Sequence, residues 1–409
     1  MKKRIVFIPI FTALLLIVSC TKILTDPVES CNFDGPIDNA SNPYSELYQK
    51  ILDEYVAMGL PGVSVAIETP DFGWWIGCSG IARIEDGTIM QPCHLHQSAS
   101  MAKPYIATMV MRLIEDEKLG LDDPIRNYLP DDMVSQIANA DEATIRQLLS
   151  HRSGIFDTDE NLKYYVDAFN DPKIPNTATE VFEKYLYGMP AYGDPGESYN
   201  YSNAGYNLLG MIIEEASGMG LGEYFEQEIR QPLRLNHTYY RSDPGYPENI
   251  PNRVNGYWER LPGQLQNCTD ISNRFCKNSM GSEGIFSTPY EYARFLQELM
   301  RGNIVDSTTL LIMIAEENKS ERMSNDYFLG IMHWSGDDWE SYGHTGTSVG
   351  TMGVTMYFPA DDVTFALTTN LGGTFTSVNT RRFRPDLLNE LLNVTFTGKR
   401  GTGINERPK

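Results

Sequence analysis

"SASMAK", Ser98 to Lys103, stands between a short alternating stretch and a run of helical periodicity, and it sets Ser100 and Lys103 in S-x-x-K spacing. Residues i and i+3 share one helical face, so a serine that opens a helix meets a lysine one turn on. A lysine at a helix start feels the positive end of the dipole and, when buried, loses hydration. Both effects lower its pKa towards neutrality, and a neutral lysine can take the serine proton. The same helix start aims backbone N–H groups at an anion developing beside the serine. Spacing alone does not decide, because "SCTK", Ser19 to Lys22, repeats it in a very different setting.

That second setting is the N-terminus. Lys2, Lys3 and Arg4 precede an apolar run from Ile5 to Val18, too short to span a bilayer and suited to a signal peptide. The ending "IVSC" resembles the lipobox of bacterial lipoproteins, which implies acylation at Cys20 and an exported protein anchored to a membrane by lipid, facing the periplasm or cell exterior. The plainer alternative is an ordinary signal peptide with a chance cysteine. Residues 1–19 are thus read as the signal peptide, and 20–43, rich in Pro, Asp, Asn and Ser, as lipidated cysteine and tether.

The net charge is −21, and −24 once Lys2, Lys3 and Arg4 are set aside. Such acidity argues against nucleic acid or anionic head groups as partners of the domain itself. Of the five cysteines beyond Cys20, Cys268 and Cys276 close a short loop and Cys78 and Cys93 flank a hairpin, which allows two disulfides.

Further along, Leu47, Ile51, Tyr55 and Met58 recur at helical spacing up to Gly59, and "VSVAIET" and "GWWIGCSGIARI" read as strands. From 100 to about 275 helices and long loops dominate, among them "TIRQLLSHRSG", with Thr144 and Gln147 in capping-box spacing, and "NLLGMIIEEASG". Helical signal returns over 285–302. "TMGVTMYF" and "VTFALTT" then form a hairpin, and "DLLNELLNV" a closing helix. Strands at both ends and helices between predict an α+β fold, one antiparallel sheet built from both termini with an inserted all-α lobe. The hydrolase domain is placed at 44–395, with the α/β part at about 44–99 and 276–395, the helical lobe at about 100–275, and a tail at 396–409.

Two further motifs give Ser100 company. Tyr201-Ser202-Asn203 lies in a loop before a helix, where a tyrosine can pass a proton and an asparagine bind an amide; the alternative is an aromatic loop packed on the lobe. His344-Thr345-Gly346 opens a probable strand in "YGHTGTSVGTMGVTMYF", where glycine lets a substrate lie close to the edge and His344 can join a proton network. Gly346 to Gly350 also satisfies G-x-S-x-G, but an elbow at Ser348 must lead into a helix and be followed by a histidine, and neither occurs. "CHLH", Cys93 to His96, would need further metal ligands, and His151, His237, His333 and His344 lack supporting spacing, so no metal or cofactor is expected.

Taken in order, Ser100-x-x-Lys103, Tyr201-x-Asn203 and His344-Thr345-Gly346 resemble the serine penicillin-recognising hydrolases, specifically the class C β-lactamase-like family. "LGLDDPIRNYLPDD", "PGESYNYSNAGYNLLGMIIEEASG", "GSEGIFSTPYEYARF" and "FALTTN" agree with it. "SHRSG" and "YGHTGT" look closest to the D-alanyl-D-alanine carboxypeptidase branch. The resemblance implies that Ser100 forms an acyl-enzyme, Lys103 and Tyr201 share acid and base work, and Asn203 holds the substrate amide. It implies that His344 joins the network and that Thr345, Gly346 and Thr347 line the substrate, the N–H groups of Ser100 and Thr347 forming the oxyanion hole. Expected substrates are D-Ala-D-Ala-type peptides, with esters or β-lactams as the alternative and a penicillin-binding sensor without turnover as a second. One departure stands out. Where carboxypeptidases of this branch place an arginine to read a free carboxylate, this chain has Met332 and His333.

Overall fold

In chain order the strands are β1 (Gly62–Thr69), β2 (Gly73–Arg83), β3 (Thr88–Ile89), β4 (His96–Gln97), β5 (Tyr239–Tyr240), β6 (Tyr257–Leu261), β7 (Gln264–Asn267), β8 (Ile285–Ser287), β9 (Asp326–Tyr327), β10 (Met332–Ser335), β11 (Glu340–Thr347), β12 (Met352–Phe358) and β13 (Val363–Thr369). The computed structural model describes residues 31–36, 39–171, 177–241, 252–261, 263–315, 319, 325–373 and 380–397. Eight of these strands form one sheet in the order β3-β2-β1-β13-β12-β11-β10-β9, antiparallel throughout. The seam between the two chain ends is the β1–β13 ladder, Val63 opposite Thr369 through Glu68 opposite Thr364.

Both faces of the sheet are covered, which explains why β12 and β13 are buried along their whole length rather than alternately. One face packs on the helices Ser45–Ala57 and Thr380–Thr395, through Tyr48, Leu52, Leu387 and Leu391 against Val63, Val65, Val354 and Leu367. Each such aliphatic side chain contributes about 1.5–3 kcal/mol when fully buried. The first helix is turned slightly from the expected face: Tyr48, Ile51, Leu52 and Tyr55 go in, while Leu47 and Met58 are exposed. The opposite face meets the helices Lys103–Glu115 and Pro289–Met300, continuous with the core of the helical lobe.

The lobe is not purely helical. The β6–β7 hairpin lies within it, and β5 pairs with β8, which pairs in turn with β4 just before Ser98. Two expectations about the N-terminal stretch are corrected. Cys31 is bonded to Cys93, while Cys78, Cys268 and Cys276 are free thiols, so neither expected pairing forms. Residues assigned to a tether also pack on the domain. Asp34 pairs with His237, Phe33 meets the Tyr290 ring edge-on at 5.6 Å, and Asn39 exchanges hydrogen bonds with the Ile76 backbone at 2.7 and 3.0 Å. A cysteine with a partner 62 residues away leaves no local signal of this. The signal peptide, Ser19, Cys20 and the tail from 398 lie outside the described residues.

Candidate active site

Ser100 sits in a single 3-10 turn, Ala99–Ala102, that runs directly into the helix Lys103–Glu115. Ala99 adopts φ +46°, a left-handed conformation that costs an L-residue roughly 1–2 kcal/mol. Neighbours hold it there: Ser98 N–H donates to the Ile285 carbonyl at 2.8 Å, and β11 lies against the turn from the other side. A Cβ on Gly346 would collide with the Ser98 carbonyl and crowd Ala99 and Met101, so the glycine of His-Thr-Gly is required by the close approach of strand to turn.

Around Ser100 Oγ the expected groups converge. Tyr201 Oη donates to it at 2.9 Å and Lys103 Nζ at 3.1 Å. Lys103 is fully buried and spends its other two N–H bonds on Asn203 Oδ1 at 2.7 Å and the Ser282 carbonyl at 3.2 Å. The Tyr201 and Tyr206 rings flank it, centroids 4.8 and 5.3 Å from Nζ. Burial pulls the Lys103 ammonium down to about 8, and Glu283, Asp157 and Asp159 oppose that fall. Burial drives the Tyr201 phenol well above its ordinary value, although its bond to Ser100 works against this. The lysine, not the tyrosine, is therefore the group able to change protonation near neutral pH.

Asn203, the first residue of the helix Asn203–Ser217, is committed to the interior. Its Nδ2 donates to Asp157 Oδ2 at 3.2 Å and to Asp159 Oδ2 at 3.0 Å, which with the Lys103 bond occupies both donors and one acceptor lone pair. It orients Lys103, and the expected hold on a substrate amide falls to the remaining lone pair.

His344 stands in a hydrogen-bond network on β11. It is fully buried, with Nδ1 at 2.5 Å from the Thr345 carbonyl and Nε2 at 3.1 Å from Tyr327 Oη. A carbonyl only accepts, so Nδ1 carries a proton, and Nε2 shares a hydrogen bond with Tyr327 Oη. Tyr327 continues to Tyr206 Oη at 3.4 Å, and Tyr206 donates to the Leu149 carbonyl. The two ring nitrogens thus meet Thr345 and Tyr327, which places His344 in a hydrogen-bond network beside the nucleophile turn. His151, left-handed at φ +56° after the helix Ile145–Leu149, packs against Tyr201 at a tilt, centroids 4.1 Å apart, and accepts from Ser202 N–H. It fixes the tyrosine that faces Ser100.

Strand register resolves the departure at 332–333. Paired residues share a face, and His333 pairs with Tyr342, hence with His344 and Gly346 on the nucleophile's side of the sheet. Met332 pairs with Gly343 and faces away, accepting from Thr345 Oγ1 at 3.6 Å. His333 stacks on Tyr342 and lies 3.3 Å from Glu340 and 3.6 Å from Asp326. Thr347 ends β11, exposed. Ser348 is followed by β12, so it opens no helix. His94 and His96 are buried beside Gln91 and Ser64. Asp157, Asp159, Glu283 and Tyr327 were not singled out in the sequence, since acidic and tyrosine residues in loops carry no spacing signal.

Comparison with known proteins identifies relatives of the chain and of its fold. Penicillin-binding protein 4 of Amycolatopsis lactamdurans is 28% identical over 77% of this chain and 82% of its own length. Penicillin-binding protein 4* of Bacillus subtilis is 30% identical over 44% of this chain, which spans only 38% of that relative. Among solved structures, D-amino acid amidase from Ochrobactrum anthropi, complexed with L-phenylalanine amide, superposes with a TM-score of 0.75 at 25% identity, covering 87% of this chain and 99% of the amidase. The Beta-lactamase family model matches residues 48–389, so the chain belongs to the beta-lactamase family of serine hydrolases, with the β-lactamase/transpeptidase fold.

Proposed function

We propose that this chain hydrolyses amides or short peptides of D-amino acids through an acyl-enzyme on Ser100. The observation that carries it is the double contact at Ser100 Oγ, to a lysine titrating near neutrality and to a neutral tyrosine. Neutral Lys103 accepts the Ser100 proton as Oγ bonds to the carbonyl carbon. The N–H groups of Ser100 and Thr347 are assigned to the oxyanion, where one donor is worth about 2.7–4 kcal/mol. Tyr201 donates its proton to the leaving nitrogen and is reprotonated by way of Lys103. Water then attacks the ester, giving its proton back along the same route, and Ser100 is restored.

The site's charge favours an amide over a free terminal carboxylate. His333 is the residue that faces the substrate side where an arginine would read a carboxylate, and Asp326 and Glu340 beside it repel an anion. Asp157, Asp159 and Glu283 behind Lys103 favour an acyl group that carries an amine. The phenylalanine amide complex of the amidase above is of this substrate type. The test is a panel of D- and L-phenylalanine amide, N-acetylated D-phenylalanine amide, a D-Ala-D-Ala peptide, a nitrophenyl ester and a chromogenic cephalosporin. Fastest turnover is expected on the free-amine D-amide, with no product from Ser100→Ala. A stable penicillin adduct without hydrolysis of any member would replace the enzyme with a sensor.

We also propose export and membrane attachment through acylated Cys20. Intact mass of the mature protein should show a diacylglyceryl cysteine at its N-terminus, and Cys20→Ser should release the protein from membranes.

A further inference from the structure

Three carboxylates from two parts of the chain surround one lysine, yet none touches it. Asp157 caps the 3-10 turn Thr158–Glu160 and Asp159 lies within it, just before the helix Leu162–Asn170, and Glu283 lies in "GSEG" just before β8. Lys103 directs all three N–H bonds at neutral oxygens, those of Ser100, Asn203 and Ser282, and among the described residues it forms no ion pair. An amide stands between the lysine and each acidic group. The Asn203 side chain links it to the two aspartates. The backbone of Ser282 links it to Glu283, whose Oε2 accepts from Gln97 Nε2 at 2.7 Å; Gln97 in turn accepts from Ser272.

We infer that Glu283, with the Asp157–Asp159 pair, is a positioning residue that sets when Lys103 is a base, its charge held one amide away. A carboxylate in contact with Nζ would lock the lysine as a cation and consume a donor that Ser100 needs. A carboxylate behind an amide still stabilises the ammonium through the low-dielectric interior, while leaving its geometry to Ser100. One cation cannot balance three buried anions, so the cluster shares protons. Burial pushes Glu283, Asp157 and Asp159 all well above the usual carboxylate range.

Of the other groups facing the cluster, the tyrosines and Cys276 stay neutral around pH 7, while Arg241, Arg253 and Arg274 carry charge. Tyr201 and Tyr206 flank Lys103. On the Glu283 side stand Tyr164 and Tyr165, both driven up by burial, and Cys276, driven up to about 12, with Arg241 and Arg253 beyond it. The sign follows. Glu283 raises the Lys103 pKa, so deleting its charge lets that pKa fall and makes Lys103 neutral at lower pH.

This rests on Lys103 being the base for Ser100. The experiment follows kcat/KM against pH from 5.5 to 9.5 with a p-nitrophenyl ester, whose leaving group needs no proton. Glu283→Gln keeps the bond to Gln97 through its own carbonyl oxygen. Its acidic limb is expected half a pH unit or more below that of the unmodified protein, which is about threefold greater activity at pH 6.5 relative to its own plateau. Asp159→Asn, at a half-buried position, should move the limb the same way and decides the matter should Glu283→Gln fail to fold. A limb that stays in place, whatever happens to the plateau, overturns this role. Absence of hydrolysis in the unmodified protein would instead overturn the hydrolase reading itself, and hydrolysis with no titrating limb would overturn the role of Lys103 as base.

Discussion

Two basic side chains in this molecule each lie among carboxylates, and only one of them is equipped for catalysis. Lys103 is enclosed beneath Ser100, with Glu283, Asp157 and Asp159 a single amide away. His333 stands on β10, one strand in from the sheet edge, beside Asp326 and a half-exposed Glu340. There solvent screens the contact with half-exposed Glu340, and such a pair is worth roughly 0–1 kcal/mol. Inside, removal of water outweighs the attraction of the three carboxylates, and Lys103 descends to about 8. Burial rather than pairing makes the base.

The comparison breaks if the two sites respond alike. Ser100→Ala should abolish acylation, and Lys103→Ala should cost roughly 10³-fold or more in kcat/KM, because a nucleophile without its base is weak. His333→Ala should cost less than about threefold on the same D-amino acid amide. Intact-protein mass spectrometry for the acyl adduct, with steady-state kinetics, separates these outcomes. A second contrast is in pH. Activity should rise with a slope of about one as pH climbs to about 8, since only neutral Lys103 can accept the Ser100 proton. A flat profile from pH 6 to 9 would remove Lys103 as the titrating base.

Smaller effects sharpen how the inner site is held. Gly346→Ala sets a Cβ against the Ser98 carbonyl, where backbone must shift. Displacement of the nucleophile turn should cost about 10–100-fold in kcat, with about 1–3 kcal/mol of stability, read by kinetics and thermal melting. Cys31→Ser acts far from Ser100. It opens a 62-residue closure, so the expected loss is about 2–4 kcal/mol of stability with kcat/KM unchanged. A melting temperature equal to that of the unmodified protein would mean that the bond adds nothing.

How much of this was legible in the sequence follows the same division. Ser100, Lys103, Tyr201 and Asn203 are readable because each pair lies within three residues, so local spacing carries the geometry. The sheet from both chain ends was readable too, from strand periodicity at 62–83 and 352–369. Asp157, Asp159 and Glu283 sat unread inside "SHRSGIFDTDE" and "GSEGIF", because an acidic loop residue is ordinarily solvated and only tertiary structure buries it. His344 was readable as a member of a hydrogen-bond network but its partner was not, since Tyr327 lies 17 residues upstream on another strand. Cys31 was misread because composition places 31–43 with the tether, whereas a covalent bond and the Asp34–His237 pair fasten it to the domain.

The smallest expected effect tests the outer site on its own terms. His333 faces the nucleophile's side, one residue pair from His344 along the sheet, but its ring is short and stacked on Tyr342. An arginine there would carry a longer arm, a fixed positive charge and a planar fork suited to a carboxylate, and Asp326 and Glu340 would compete for it. His333→Arg should therefore improve kcat/KM on a peptide with a free D-terminal carboxylate by about 3–10-fold relative to the corresponding amide, mainly through KM. Acylation by a nitrophenyl ester, which has no such carboxylate, should not change. Equal gains on acid and amide would show that position 333 does not face the leaving half of the substrate. Loss on both would mean that the His333–Tyr342 stack supports β11, and through it the turn that holds Ser100.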